Sequence, residues 1–196
     1  MHYGRQILSA LALTLATATG ASAQGMAKGD MAMEKGTTMV GGQAMYRTKD
    51  IVDNAVNSAD HTTLVAAVKA AGLVETLKGK GPFTVFAPTN AAFALLPEGT
   101  VSTLLKPENK EQLTQVLTYH VVGGSYDAEA LAKAIKNGHG EATLKTVNGG
   151  WLTFMMNGDR NIVVRDAKGG VANISTYDVR QSNGVIQVVD KVLLPS

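Results

Sequence analysis

The side chains best suited to chemistry are scattered along this 196-residue chain. Beyond the N-terminal segment the histidines are His61, His120 and His139, which lie far apart in sequence and lack the spacing of metal ligands. The chain has no cysteine, which excludes thiolate metal sites, cysteine nucleophiles and disulfides. It also lacks the phosphate-binding P-loop, the G-x-S-x-G serine motif and the H-E-x-x-H zinc motif. The sequence therefore predicts a protein that is not an enzyme and that holds no cofactor or metal.

Methionines offer a second kind of chemistry. Residues 24–45 hold five Met and five Gly, and Met31 and Met33 lie one residue apart. Thioether sulfurs suit Cu(I), so this segment could capture a soft metal. It has no aromatic residue and one branched aliphatic, Val40, and such a composition cannot bury enough apolar surface to offset the entropy of ordering. We favour a flexible linker over residues 24–45 and keep copper binding as the alternative.

The first 23 residues have the pattern of an export signal. Arg5 precedes an apolar run over 7–18, and Ala21-Ser22-Ala23 is a small-residue cleavage site. The run is too short to span a bilayer, which takes about 20 apolar residues. We therefore expect residues 1–23 to be a signal peptide cleaved near Ala23, and a secreted or periplasmic product without a membrane span or anchor.

The charge pattern speaks against nucleic acid as a partner. The formal net charge is only +2, from 18 basic and 16 acidic side chains. The lysines are interleaved with acids and form no basic stripe, whereas nucleic-acid binding needs clustered cations.

The elements that position these residues change character along the chain. In the part before residue 138, Thr48 or Asp50, then Thr89 and Asp127, are placed to cap helices, and Gly72 to end one. In the second half, Asn-Gly and Gly-Gly pairs separate β-prone runs, a pattern typical of tight hairpins. The predicted strands, joined into an antiparallel meander, are 142–147, 151–156, 161–166, 171–180 and 185–190. Helices followed by strands predict an α+β fold.

Three segments within this pattern resemble the motifs of the fasciclin-I domain. They are FTVFAPTNAAF at 83–93, YHVV at 119–122 and NGVIQVVDKVLLP at 183–195, in the family's order and spacing. The resemblance covers a domain at 46–196. It implies an antiparallel β-wedge of two small sheets packed with a bundle of short helices. It also implies a secreted adhesion module that contacts a protein, cell-surface or matrix partner. The single copy favours a monomer that binds its partner weakly, and the alternative is a module that works by assembling.

Most residues of these motifs are expected to be structural. Within the second motif, the resemblance implicates Tyr119 and His120 in partner contact, although a histidine beside two valines is more often a buried, hydrogen-bonded one. Asn90 and Gln187 depart from the family pattern, which usually has an acidic residue and often a histidine there. The expected structural positions are Phe83, Thr84, Val85, Phe86, Ala87, Pro88, Thr89, Asn90, Phe93, Gly184, Ile186, Val188, Asp190, Leu194 and Pro195.

The favoured function is therefore an exported, non-enzymatic interaction module for adhesion or surface contact. One alternative is a periplasmic metal- or stress-related protein that uses the Met-rich segment. The other is a small-ligand carrier, for which the sequence offers no converging set of polar groups.

Overall fold

The structure is a computed structural model that describes residues 37–196. It begins with a two-stranded hairpin of β1 (Thr38–Val40) and β2 (Gln43–Met45). Gly41 and Gly42 form its turn with φ of 56° and 72°, and Val40 and Met45 are buried. The prediction of a flexible linker up to residue 45 is therefore wrong for this last part, because two apolar side chains anchor the hairpin in the core. The predicted signal peptide and the rest of the predicted linker lie outside the described residues.

Seven α-helices, all short, follow within the described residues. Their N-termini bear out the sequence at three places: the side chains of Asp50, Thr89 and Asp127 each accept a hydrogen bond from a backbone N–H of the first turn. Gly72, in the left-handed region, ends the second helix as expected. The helices are α1 (Ile51–Ala55), α2 (Thr62–Ala71), α3 (Val74–Leu77), α4 (Asn90–Ala94), α5 (Thr100–Leu104), α6 (Lys110–Tyr119) and α7 (Ala128–Asn137). None of them is long and apolar enough to cross a membrane.

The other strands form one seven-stranded sheet in the order β4-β3-β9-β8-β7-β6-β5. Its last five strands in sequence are consecutive antiparallel neighbours, so the predicted meander is confirmed. The strands are β3 (Phe83–Pro88), β4 (Val121–Gly123), β5 (Glu141–Lys145), β6 (Trp151–Asn157), β7 (Asn161–Arg165), β8 (Val171–Gln181) and β9 (Gly184–Val189).

The sheet departs from the expected all-antiparallel wedge at one pair. Strands β3 and β9 run parallel, from Phe83 beside Gly184 to Pro88 beside Val189. Parallel neighbours need a long crossover, and here the connection contains four helices and five strands. The sheet is therefore mixed, and the α+β class is unchanged.

Two hydrophobic cores flank the sheet. The first packs helices α1 to α6 and the hairpin against β3 and β9, with Leu64, Val68 and Ile186 among its members. The second packs α7 inside the meander, where the Phe86 and Phe154 ring centroids lie 5.1 Å apart. Apolar burial on both sides of β3 and β9 holds these two strands at the centre of the domain.

Candidate functional site

The fold brings the three sequence motifs together. The first motif forms β3 and α4, the second ends α6 and begins β4, and the third forms β9 with the C-terminal tail. Strand β3 pairs with β4 on one side and with β9 on the other. Segments that are up to about a hundred residues apart in sequence are thus neighbouring strands.

The first motif is almost wholly inside. Thr84 through Pro88 are buried, Phe93 is buried and Phe83 is half-buried. The Thr84 hydroxyl donates to the Gly124 carbonyl at 2.7 Å and accepts from the Tyr126 N–H at 2.8 Å, so this buried polar group is satisfied. These contacts give the motif a structural role and leave little of it for a partner.

Asn90, the departure from the acidic pattern, also has structural contacts. Its Oδ1 accepts hydrogen bonds from the Thr63 N–H at 3.0 Å and the Thr62 hydroxyl at 3.2 Å. Its Nδ2 donates to the Ala59 carbonyl at 2.9 Å. The amide thus supplies an oxygen to the first turn of α2, where a carboxylate would also accept, and adds a donor that a carboxylate lacks.

Tyr119 is fully buried and joins two strands of the meander. Its hydroxyl donates to the Trp151 carbonyl at 2.7 Å and accepts from the Ala167 N–H at 2.9 Å. Trp151 begins β6, and Ala167 comes just after the end of β7. The backbone hydrogen bonds between these two strands stop at the pair Thr153 and Arg165, so the Tyr119 hydroxyl links the strands beyond that point. Burial raises the pKa of Tyr119 above its usual value, which keeps the hydroxyl a donor.

His120 is buried to a similar degree, and both ring nitrogens have partners. Nδ1 donates to the Val116 carbonyl at 2.8 Å, and Nε2 accepts from the Leu193 N–H at 2.9 Å. Burial lowers the pKa of His120 to about 4, so the ring is neutral at neutral pH. Because a partner cannot reach a buried side chain, the expectation that Tyr119 and His120 contact it directly does not fit this fold. Both side chains are instead buried and hydrogen-bonded within the domain.

Gly184 of the third motif lies at a point where the backbones of β9 and β3 come very close together. A Cβ at this position would collide with the Phe83 carbonyl, so only glycine fits. Gly184 is the first residue of β9, paired with Gln181 of β8, so the turn itself consists of Ser182 and Asn183. Of the Asn-Gly pair at Asn183 and Gly184, only the asparagine therefore lies in the turn.

The remaining residues of the third motif are packed into the domain or hydrogen-bonded within it. Ile186 and Val188 are buried, whereas Leu194 and Pro195 are half-buried. Asp190 accepts hydrogen bonds from both the backbone and the side chain of Asn173, each at 2.7 Å.

Gln187, where the family often has histidine, is fully buried between strand β8 and the loop that precedes α7. Its Nε2 donates to the Tyr126 carbonyl at 3.1 Å and to the Asp178 carboxylate at 2.9 Å, and its Oε1 accepts from the Asp178 N–H at 3.1 Å. Asp178 itself has a φ of 57°. The amide thus holds this left-handed residue in place through two opposite hydrogen bonds.

The buried carboxylate among the described acidic residues is engaged by backbone groups. Asp166 is buried and its carboxylate accepts from the N–H groups of Lys168, Gly170 and Leu194. Within residues 37–196 no three or more metal-ligating side chains of the His, Cys, Asp or Glu type are grouped. Of the five methionines in the segment proposed for copper, Met45 is buried and Met39 is 49% exposed, whereas Met26, Met31 and Met33 lie outside the described residues.

The exposed surface feature that the sequence did not reveal is the outer side of the meander. Burial alternates along β6, so Leu152 and Phe154 point inward and Trp151 and Thr153 outward. Trp151 is 56% exposed, unusual for so large an apolar side chain. We call the outward residues of strands β5 to β8 the Trp151 face; it comprises Lys145, Trp151, Thr153, Arg165 and Val171.

Register places these residues side by side. Lys145 is opposite Trp151, Thr153 is opposite Arg165, and Arg165 is opposite Val171. Arg165 forms an ion pair with Glu141 at 3.3 Å, in a position open to water. The period-2 alternation of β6 is the signal in the sequence that could have identified Trp151 as outward, once the buried face was known.

Comparison with known proteins agrees with this architecture. The family model described as "Fasciclin domain" matches residues 59–195. Protein sll1483 of Synechocystis is 44% identical over 172 residues, which are 87% of each chain. Immunogenic protein MPB70 of Mycobacterium bovis is 34% identical over 146 residues, covering 72% of this chain and 66% of that protein.

More distant relatives are much longer than this chain. Transforming growth factor-beta-induced protein ig-h3 of Sus scrofa is 34% identical over 133 residues, which are 68% of this chain but 17% of that protein. Among solved structures, the FAS1 domain pair from the insect cell adhesion molecule Fasciclin I has a TM-score of 0.66 at 18% identity. The match covers 74% of this chain and 51% of that one.

Proposed function

The chain belongs to the fasciclin domain family, and from that premise we propose that it is an exported, non-enzymatic module that binds a protein partner at a cell surface or in a matrix, through the Trp151 face. The observation that carries this proposal is the exposure of Trp151 on β6, a strand that pairs with β5 on one side and with β7 on the other. Adhesion is named for the insect relative, and its extension to this chain belongs to the proposal.

The chemistry of the face suits a protein partner. Interface hot spots are enriched in tryptophan and arginine, and they work best when a polar rim surrounds an apolar centre. Here Trp151 and Val171 supply exposed apolar area, while Lys145 and the Arg165–Glu141 pair supply charge of both signs. The ion pair is too exposed to add much stability, which leaves its charges available for contact.

The buried second motif then has an indirect role in binding. Tyr119 holds the carbonyl of Trp151 from inside the domain, at the point where β6 begins. A rigid backbone lowers the entropy that Trp151 loses when a partner covers it. On this proposal Tyr119 positions the binding residue and does not touch the partner.

A retention experiment tests the proposal. The purified protein is immobilised and exposed to biotin-labelled surface proteins of the source cells and of neighbouring cells. Trp151→Ala should retain its partner at least tenfold less strongly than the wild type. The matched control is Leu95→Ala, since Leu95 is 68% exposed but lies at the end of α4, away from the meander. Equal retention by wild type and Trp151→Ala would exclude this face.

A further inference from the structure

A cavity of about 80 Å³ lies in the first core, between the β1–β2 hairpin, helices α1 and α2, and strands β3 and β9. Its wall is almost entirely apolar, with residues such as Ile51, Leu64 and Val68. Exposed residues, among them Lys69 and Thr76, form part of the wall, so the cavity extends to the surface. It is separate from the Trp151 face.

His61 introduces one polar atom into this apolar wall. The residue is 3% exposed, and its Nδ1 lies 2.8 Å from the Ser58 hydroxyl. Among buried side-chain nitrogen and oxygen atoms of residues 37–196, only Nε2 of His61 has no hydrogen-bond partner. Leaving a buried polar atom unpaired is costly, so such an atom in a native fold calls for a partner that the chain itself does not supply.

The neighbouring groups define what Nε2 offers. When the Ser58 hydroxyl donates to Nδ1, the ring proton resides on Nε2, which is then a donor. Burial lowers the pKa of His61, and the ring therefore stays neutral at neutral pH. The Ala87 backbone and Asp60 lie near enough to offset this lowering in part, but no group among residues 37–196 meets hydrogen-bond geometry with Nε2. A neutral donor in an apolar wall suits an uncharged oxygen such as a ketone, ester or alcohol oxygen.

Water is a poor occupant of this site. A buried water needs two to four polar partners, and the buried part of the wall offers one side-chain atom without a hydrogen-bond partner, Nε2 of His61. His120, the other histidine of the wall, already has both nitrogens bonded. An apolar molecule with one oxygen would fill the void and pair Nε2 at the same time.

We propose that this cavity binds a small apolar molecule, or the end of an aliphatic chain, that bears one uncharged oxygen accepting a hydrogen bond from Nε2 of His61. The volume is about half the 150 Å³ of an engineered apolar cavity that takes up benzene, so the occupant has about three to five non-hydrogen atoms in the cavity. The binding is independent of the partner proposed for the Trp151 face.

Titration with 2-butanone tests the site. The amide signals of Ile51, Leu64 and Val68 should shift saturably in ¹H–¹⁵N NMR spectra, and the Nε2 resonance of His61 should shift with them. Xenon should perturb the same amides. Absence of saturable shifts from both probes would overturn the proposal.

Variants distinguish the cavity from general solvent effects. Ala55→Leu fills the cavity from α1 and should weaken 2-butanone binding at least tenfold, whereas Ala66→Leu, on the exposed side of α2, should leave it unchanged. His61→Phe keeps an aromatic ring without Nε2, and it should lower 2-butanone affinity about tenfold while xenon still binds. If His61→Phe does not fold, the Ala55 and Ala66 pair decides the matter. Equal binding by those two variants contradicts the proposal.

Discussion

Protonation of His120 should make the stability of this domain depend on pH. Its two nitrogens are both engaged, with Nδ1 donating to Val116 and Nε2 accepting from Leu193. A second ring proton would face the Leu193 N–H, and the buried ring would carry a charge. The fold therefore holds the neutral form and lowers the pKa of His120 from 6.5 to about 4.

The size of the effect follows from linkage. Between pH 6.5 and about 4 the unfolded chain binds a proton at His120 and the folded chain does not, so stability falls as the pH falls through this window. A pKa lowered from 6.5 to about 4 corresponds to about 3 kcal/mol of unfolding free energy, which is lost progressively across this window and completely below about pH 4.

Urea unfolding of wild type and His120→Gln at several pH values between about 7 and 4 measures this loss. The variant has no titrating ring, so its stability should fall by about 3 kcal/mol less than that of the wild type over the range. His61 and the carboxylates titrate in both proteins and cancel in the difference. His139→Asn is the control, because His139 is exposed with a φ of 58° that asparagine tolerates, and it should follow the wild type. Parallel pH profiles for wild type and His120→Gln would refute the reasoning.

Two further substitutions test the buried motifs. Tyr119→Phe leaves the Trp151 carbonyl and the Ala167 N–H without their partner. It should therefore lower the unfolding free energy by about 2–3 kcal/mol in urea titrations. A loss below about 0.5 kcal/mol would show that the phenol does not bridge these strands. Gly184→Ala places a Cβ against the Phe83 carbonyl and should lower the unfolding free energy by about 3 kcal/mol or more. The control is Gly123→Ala, on the other side of Phe83 with open space around it, which should stay within about 1 kcal/mol of the wild type. Similar thermal midpoints for the two variants would contradict the packing at Gly184.

Features set by local contacts could be predicted from the sequence. The caps at Thr89 and Asp127 depend on a hydrogen bond to a residue three positions on, and the meander depends on turn residues between adjacent strands. The motifs identified the family because their order and spacing survive in the chain. Each of these features involves short separations or a pattern already known from other members.

Features set by distant packing could not be predicted. The parallel pairing of β3 with β9 joins residues about a hundred positions apart, and the hairpin at β1 and β2 depends on where Val40 and Met45 find a core. Composition alone suggested a flexible segment there. The fate of Tyr119 depends on Trp151 and Ala167 meeting around its hydroxyl, which no local pattern encodes.

The candidate surface and the cavity are further examples. Trp151 and Leu152 are equally apolar in sequence, and only the register of β6 decides that one is exposed and the other buried. The void beside His61 arises from side chains of several elements that do not quite fill the space between them. Such packing detail emerges from the assembled fold.

Trp151 is the only tryptophan in the chain, which allows the central claim to be tested on that side chain alone. The protein is labelled with 5-fluorotryptophan, and its single ¹⁹F resonance is followed while the unlabelled surface-protein fraction retained by the wild type is added. The resonance should shift and broaden as the complex forms, because the partner covers an indole that is 56% exposed in the free protein. If sedimentation detects a complex while the ¹⁹F resonance keeps the position and line width of the free protein, binding through the Trp151 face is contradicted.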